Sequence, residues 1–129
     1  PVILDESFLR FEHFKHIISS PKNWLINLRI SKMGGILRSI EIANQAENLG
    51  LCLIIGAQVG ETSILSRAAL SIANHYRDLV TAQEGAFGTY LLEKDITEDP
   101  IIFGKGGVLE SSSITTNSYG WGINVRTLE

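Results

Sequence analysis

Lys32 stands where a lysine can do chemistry: at the end of an apolar run, in a glycine-bearing turn, just ahead of a helix. Residues 24–30 (WLINLRI) read as a buried strand, and Ser31-Lys32-Met33-Gly34-Gly35 as a short turn. Ile36, Ile40, Ala43 and Ala46 then recur at helical spacing, with Arg38, Glu41, Gln45 and Glu47 between them. In parallel α/β folds the ends of strands are where ligands and catalytic groups gather. Lys32 is therefore the first candidate, against the plainer reading of a solvated turn lysine. Asp5 follows the apolar run Val2-Ile3-Leu4 and reads either as a site carboxylate or as a strand-end aspartate accepting loop hydrogen bonds. Glu61 opens a helical pattern, where a carboxylate also complements the helix dipole.

Other motifs carry less. GAQVGETS at 56–63 looks like a phosphate loop, but it is one residue short and has glutamate where the lysine should stand. Gly34-Gly35 before a helix could receive an anion on free N–H groups, and close turn packing explains the pair equally well. His13 and His16, with Glu12 beside them, lack further metal ligands at suitable spacing and read as solvated helix residues. Cys52, inside an apolar strand, reads as a buried small hydrophobe.

With 129 residues, the chain has the length of one domain with a real core. Its 44% hydrophobic and 19% charged residues are those of a globular protein. A net charge of −3 without a basic run argues against nucleic acid or a membrane surface as partner. A single cysteine excludes an internal disulfide and fits a reducing compartment, so the cytoplasm is the expected location. No apolar run reaches the ~18 residues that span a bilayer. The chain opens directly in strand-like sequence at Pro1, which fits an excised piece or a product that has lost its initiator methionine.

Taken in order, Val2–Leu4 is a strand. Ser7 is a possible N-cap for a helix carrying Phe8, Phe11, Phe14 or Lys15, and Ile18, which Ser19-Ser20-Pro21 ends. The Lys32 unit follows, closed by Gly50. Leu51–Ile55 is a third strand, almost wholly apolar, as a strand covered on both faces should be. A helix with Ile64, Leu65, Ala68, Ala69 and Ile72 on its stripe leads to a fourth strand, Leu79–Ala82. Strand and helix alternate in the rhythm of parallel βα units. After about Glu84, glycines, acidic residues and the run Ser111–Thr116 predominate. The expected organisation is parallel βα units over 1–84 and an irregular tail with a few β segments over 85–129, in one domain.

Three ordered motifs carry a resemblance: DES at 5–7, SKMGG at 31–35 and GAQVGETSILSRAA at 56–69. Together they resemble the C-terminal half of enolase-superfamily barrels, of the mandelate racemase, muconate-lactonizing and dipeptide-epimerase branch. The tail, ending in Tyr119-Gly120-Trp121-Gly122-Ile123, resembles the segment that follows the barrel. The resemblance implies an α/β fold: half of a TIM-type (β/α) barrel, with strands five to eight over residues 1–84. It implies abstraction of a proton next to a carboxylate, with magnesium or another divalent metal stabilising the enediolate. Asp5 matches the third metal-ligand carboxylate, Lys32 the acid/base lysine, and Glu61, with Gln58 nearby, the polar position after strand seven. A lysine base needs partial desolvation to bring its pKa toward about 7–8. The family's opposing lysines, its other two metal ligands and its capping domain have no counterpart in these residues.

A four-stranded half-barrel has two open edges and an uncovered inner face, expected to be lined by Ile3, Leu28, Ile30 and side chains of the third and fourth strands. Its cover is expected to be a second copy of the chain or a missing N-terminal half. The glycine-rich tail, folded back, is a third option. Two functions follow. One is a racemase, epimerase or cycloisomerase half that acts on a small carboxylate substrate only when complemented. The other is a non-catalytic homo-oligomeric scaffold or binding domain.

Overall fold

The computed structural model describes residues 1–85, 87–109 and 119–127. Strands β1 (Val2–Leu4), β2 (Trp24–Leu28), β3 (Cys52–Ile55) and β4 (Val80–Gln83) form one sheet in the order β1-β2-β3-β4. All three pairings are parallel. Helices α1 (Ile36–Asn48) and α2 (Ser63–His75) make the crossovers β2-α1-β3 and β3-α2-β4, and a four-residue helix α3 (Gly88–Leu91) follows β4. This is the α/β architecture expected from the sequence, with β2 ending two residues earlier than expected and β4 displaced by one.

Period-two alternation sorts the sheet into two faces. Ile26, Leu28, Leu53 and Ile55 are fully buried and form the core with Ile42, Ala43, Ala46, Ala68, Ala69 and Ile72 of the helices. Leu28 and Ile30 therefore belong to the helix-covered side and not to the inner face. The inner face carries Ile3, Leu25, Cys52 and Ile54, and Ile3 is 51% exposed. Cys52 is exposed as well, contrary to the expectation of a buried thiol. Its neighbours Leu53 and Ile55 take the covered side, so strict alternation leaves Cys52 on the open one.

The helix stripes are rotated from the positions that hydrophobicity alone suggests. On α1, Ser39, Ile42, Ala43 and Ala46 are buried while Ile40 lies at the exposed margin. On α2, Ser63, Ser66, Ala68, Ala69 and Ile72 are buried and Ile64 is exposed. Small residues let the helices approach the sheet closely, and the Ser39 hydroxyl donates to Gly35 O at 2.9 Å, so its burial leaves no donor unpaired. Helix α1 ends in a Schellman arrangement, Gly50 N donating to Glu47 O and Leu51 N to Ala46 O. The first segment is a 3-10 helix at Phe11–His16 with no side-chain cap, so Ser7 does not cap it. Phe14 is its buried residue; Phe8 before it and Ile17 after it are buried too, while Ile18 is exposed.

The tail is tied to α2 through one carboxylate. Asp95 Oδ2 accepts from Ser63 N (2.9 Å) and Ser63 Oγ (2.8 Å), and its Oδ1 accepts from Thr97 N and Oγ1. Ser63 Oγ in turn accepts from Ile101 N at 2.7 Å, and Arg126 Nε donates to Thr97 O at 2.7 Å. Asp95 thus satisfies a free N–H at the start of α2, a capping role supplied from 32 residues away. The described tail docks here, leaving Ile3 and Cys52 open on the inner face. The run Ser111–Thr116 lies outside the described residues.

Burial works to raise the Asp95 pKa, but the hydrogen bonds from Ser63 and Thr97 outweigh it and hold the carboxyl below its ordinary value. A carboxylate with a depressed folded-state pKa adds stability above its unfolded pKa of about 4, and that stability is lost as pH falls through the folded value. Asp95→Ala should cost about 2 kcal/mol near neutrality, read as a lowered urea midpoint. The deficit should shrink on acidification below about pH 4, which a pH series of melts checks.

Candidate functional site

Because the strands run parallel and in register, the residues just past their ends meet at one mouth: Asp5 after β1, Arg29 after β2, Gly56 after β3 and Glu84 after β4. The ladder continues into this row, with Gly56 N donating to Leu28 O and Glu84 N to Ile55 O, each at 2.9 Å.

Asn27, one residue below the rim of β2, is only 3% exposed. Its Nδ2 donates to Glu84 Oε1 at 3.2 Å and lies 3.4 Å from Asp5 Oδ1. It thereby links the carboxylates of the first and last strands. Neighbouring strands lie about 4.8 Å apart, so a side chain on β2 reaches one on β4 only if β3 presents nothing between them. Gly56 provides that gap. A Cβ there would stand 2.1 Å from Asn27 Oδ1 and 2.7 Å from Arg29 Cγ. Glu84 completes the bridge by accepting from Ala57 N at 2.8 Å through Oε2.

The turn after β2 aims Lys32 back at the mouth. Lys32 N and Met33 N both donate to Arg29 O, and Gly35 N donates to Ile30 O. Gly34 and Gly35 take φ values of +88° and +103°, which only glycine adopts without strain. Met33 is anchored in the core, and Lys32 Nζ donates to Asp5 O at 3.0 Å. It also pairs with Asp5 Oδ1 at 3.3 Å and Glu6 Oε2 at 2.9 Å. Arg29 pairs with Asp5 Oδ2 through Nη2 and with Glu6 Oε1 through Nη1 at 3.3 Å. The result is a cluster of two cations and two carboxylates, with the Arg29 and Lys32 side chains only 15% and 12% exposed.

Gln58 and Glu61 sit on the loop after β3. Gln58 N donates to Glu61 Oε1 at 2.7 Å, and Gln58 Oε1 faces Arg29 Nη1 at 3.5 Å. Glu61 is 8% exposed and borders a cavity of about 280 Å3 with Thr89, Asp95, Ile101 and Arg126. Burial raises its pKa, the Gln58 N–H and the Arg29 charge act to lower it, and Glu84 adds to the rise. The structure thus groups Asp5, Lys32 and Gln58 around Arg29, with Glu61 one contact further out. Arg29, Asn27 and Glu84 were not among the residues the sequence singled out. Their positions near strand ends were the available signal: Asn27 and Arg29 lie in the apolar run that Lys32 follows, and Glu84 follows the fourth strand. His13 stays apart, with Nδ1 accepting from Leu9 N at 3.1 Å.

The divalent metal implied by the resemblance needs about six hard oxygen ligands. Among the described residues no group of three His, Cys, Asp or Glu side chains is placed to hold a metal ion. Asp5, the one matching carboxylate, has both oxygens engaged by Arg29, Lys32 and Asn27. The donors present do not fit such an ion.

Four parallel strands with helices on one face, and acid/base side chains gathered beyond their carboxyl ends, are the architecture of part of a (β/α) barrel. The chain belongs to the enolase C-terminal domain-like family, which matches residues 1–128. It is 25% identical over 126 residues to an L-amino acid-D/L-Glu epimerase of Francisella philomiragia, covering 97% of this chain and 33% of that protein. It is 29% identical over 96 residues to an N-succinyl-L-Arg/Lys racemase of Bacillus cereus, covering 74% of this chain and 25% of that one. Among solved structures, a mandelate racemase/muconate lactonizing enzyme from Roseovarius nubinhibens superposes with a TM-score of 0.76 at 15% identity, over 97% of this chain and 32% of that one. The L-Ala-D/L-Glu epimerase from Bacillus subtilis superposes with the same TM-score of 0.76 at 23% identity, over 98% and 33%. The chain spans about a third of the length of the curated relative that it matches over almost its whole extent.

A carboxyl with a raised folded-state pKa destabilises the fold once ionised, so its contribution is full below about pH 4 and falls as pH rises through the folded value. Glu61→Gln keeps an acceptor for Gln58 N and should raise the melting temperature at pH 7 while changing little at pH 4. Gly56→Ala should cost about 1–3 kcal/mol by overpacking. Asn27 and Glu84 should lose their mutual contact, read as changed side-chain amide shifts in NMR spectra.

Proposed function

We propose that this chain is the lysine-bearing part of a barrel that racemises or epimerises amino-acid derivatives, active when the remaining strands complete the barrel. The observation that carries the reading is Lys32, aimed by its turn at the mouth and largely withdrawn from solvent. The named activities of the Francisella and Bacillus cereus relatives favour racemisation over elimination or cycloisomerisation.

In this reading Lys32 gives or takes the proton on one side of the carbon next to a substrate carboxylate. An opposing base from the other part of the barrel serves the opposite side. Glu61, Gln58 and Glu84 line the substrate side of the mouth. A divalent metal would supply positive charge to the developing enediolate, but Asp5 alone does not hold one. This chain's own contribution is the lysine, the hydrogen-bonded carboxylates and the sheet that fixes their spacing. The open inner face supports a cover formed by the missing first half of the barrel. It would equally suit a second copy of the chain in a non-catalytic scaffold, which a dimer in sedimentation of the chain alone would favour.

The test is to supply the remaining part of the barrel from a matched relative and follow loss of the α-proton signal of N-acylated amino acids and dipeptides in deuterated water. Lys32→Met should lower exchange by about 100- to 10,000-fold, the usual worth of a general acid/base. Exchange that persists undiminished in the variant would rule out the proposed role.

A further inference from the structure

The carboxylate that the family resemblance assigns to a metal is already occupied from within the chain. Asp5 Oδ2 accepts from Arg29 Nη2, while Oδ1 faces Lys32 Nζ at 3.3 Å and Asn27 Nδ2 at 3.4 Å. Glu6 is held by the same two cations, at 3.3 Å from Arg29 Nη1 and 2.9 Å from Lys32 Nζ. Two negative charges thus meet two positive ones.

Arg29 also has a seat built for it. Its Cγ fills the space where a side chain on Gly56 would stand, its Nε is sealed from solvent, and Gln58 Oε1 lies 3.5 Å from Nη1. A guanidinium keeps its charge at any ordinary pH and bonds carboxylates through a rigid fork, so it serves as a permanent counter-ion.

We propose that Arg29 is the resident cation at Asp5, and that a divalent ion gains this carboxylate only by displacing the guanidinium. The fixed positive charge in this part of the mouth is then covalently attached to β2. The inference does not depend on turnover, since metal affinity is read without any substrate.

Manganese binding, followed by the electron paramagnetic resonance signal of the free ion, tests it on the chain as it stands and on Arg29→Met. With the guanidinium gone, Lys32 alone faces the two carboxylates and one negative charge is left unmatched, so affinity for the ion should rise by about tenfold. If too few ligands were the sole reason for weak binding, the variant and the parent would bind alike, and the proposal fails. Where Arg29→Met does not fold, Arg29→Gln keeps the polar contact to Gln58 without the charge and should give the same rise. On the unaltered chain, the Arg29 Nε–H resonance should stay sharp in sub-millimolar manganese. Its selective disappearance there would mean that the ion sits at Asp5 despite the guanidinium, which overturns the assignment.

Discussion

The mouth of this sheet depends on a missing side chain. Parallel register brings the residue after each strand into one row, but the outer members of that row stand too far apart to touch across a filled centre. Gly56 leaves the centre empty. Through that gap Asn27 reaches Glu84, while Asp5 lies beside it across the neighbouring strand β1, and the Arg29 stem borders the same gap. Four separate strand ends become one connected set of polar groups, 57 residues apart in sequence at the widest hydrogen bond.

Charge is distributed unevenly over that set. At the β1 and β2 ends, Asp5 and Glu6 are matched by Arg29 and Lys32. At the β3 and β4 ends, hydrogen bonds from Gln58 N, Ala57 N and Asn27 Nδ2 hold Glu61 and Glu84 where, among the described residues, no ion pair does. Burial drives the Glu61 pKa upward on this side.

The sheet is finished on one face and open on the other. Helices α1 and α2 cover Ile26, Leu28, Leu53 and Ile55, while Ile3 and Cys52 face outward from the concave side. Full-length relatives are about three times as long as the region matched here. Asp95 ties the described part of the tail to the start of α2.

Much of this was legible in the residue string. Apolar runs, glycine turns and helical stripes specify alternating parallel βα units, because local periodicity follows from backbone geometry alone. Lys32 and Asp5 could be found from their positions after strands, and the SKMGG turn carries its glycines for a reason visible in sequence. What the sequence did not disclose depends on where elements settle against each other. Cys52 looked buried because its strand is apolar, and only the one-sided cover exposes it. Ile40 looked central until close packing of Ser39 and Ala43 turned the helix. Arg29, Asn27 and Glu84 became one site only through register across β3, and Asp95 became a cap only when the tail folded back onto Ser63. Contacts between residues far apart in the chain have no local signature, so tertiary structure alone decided them.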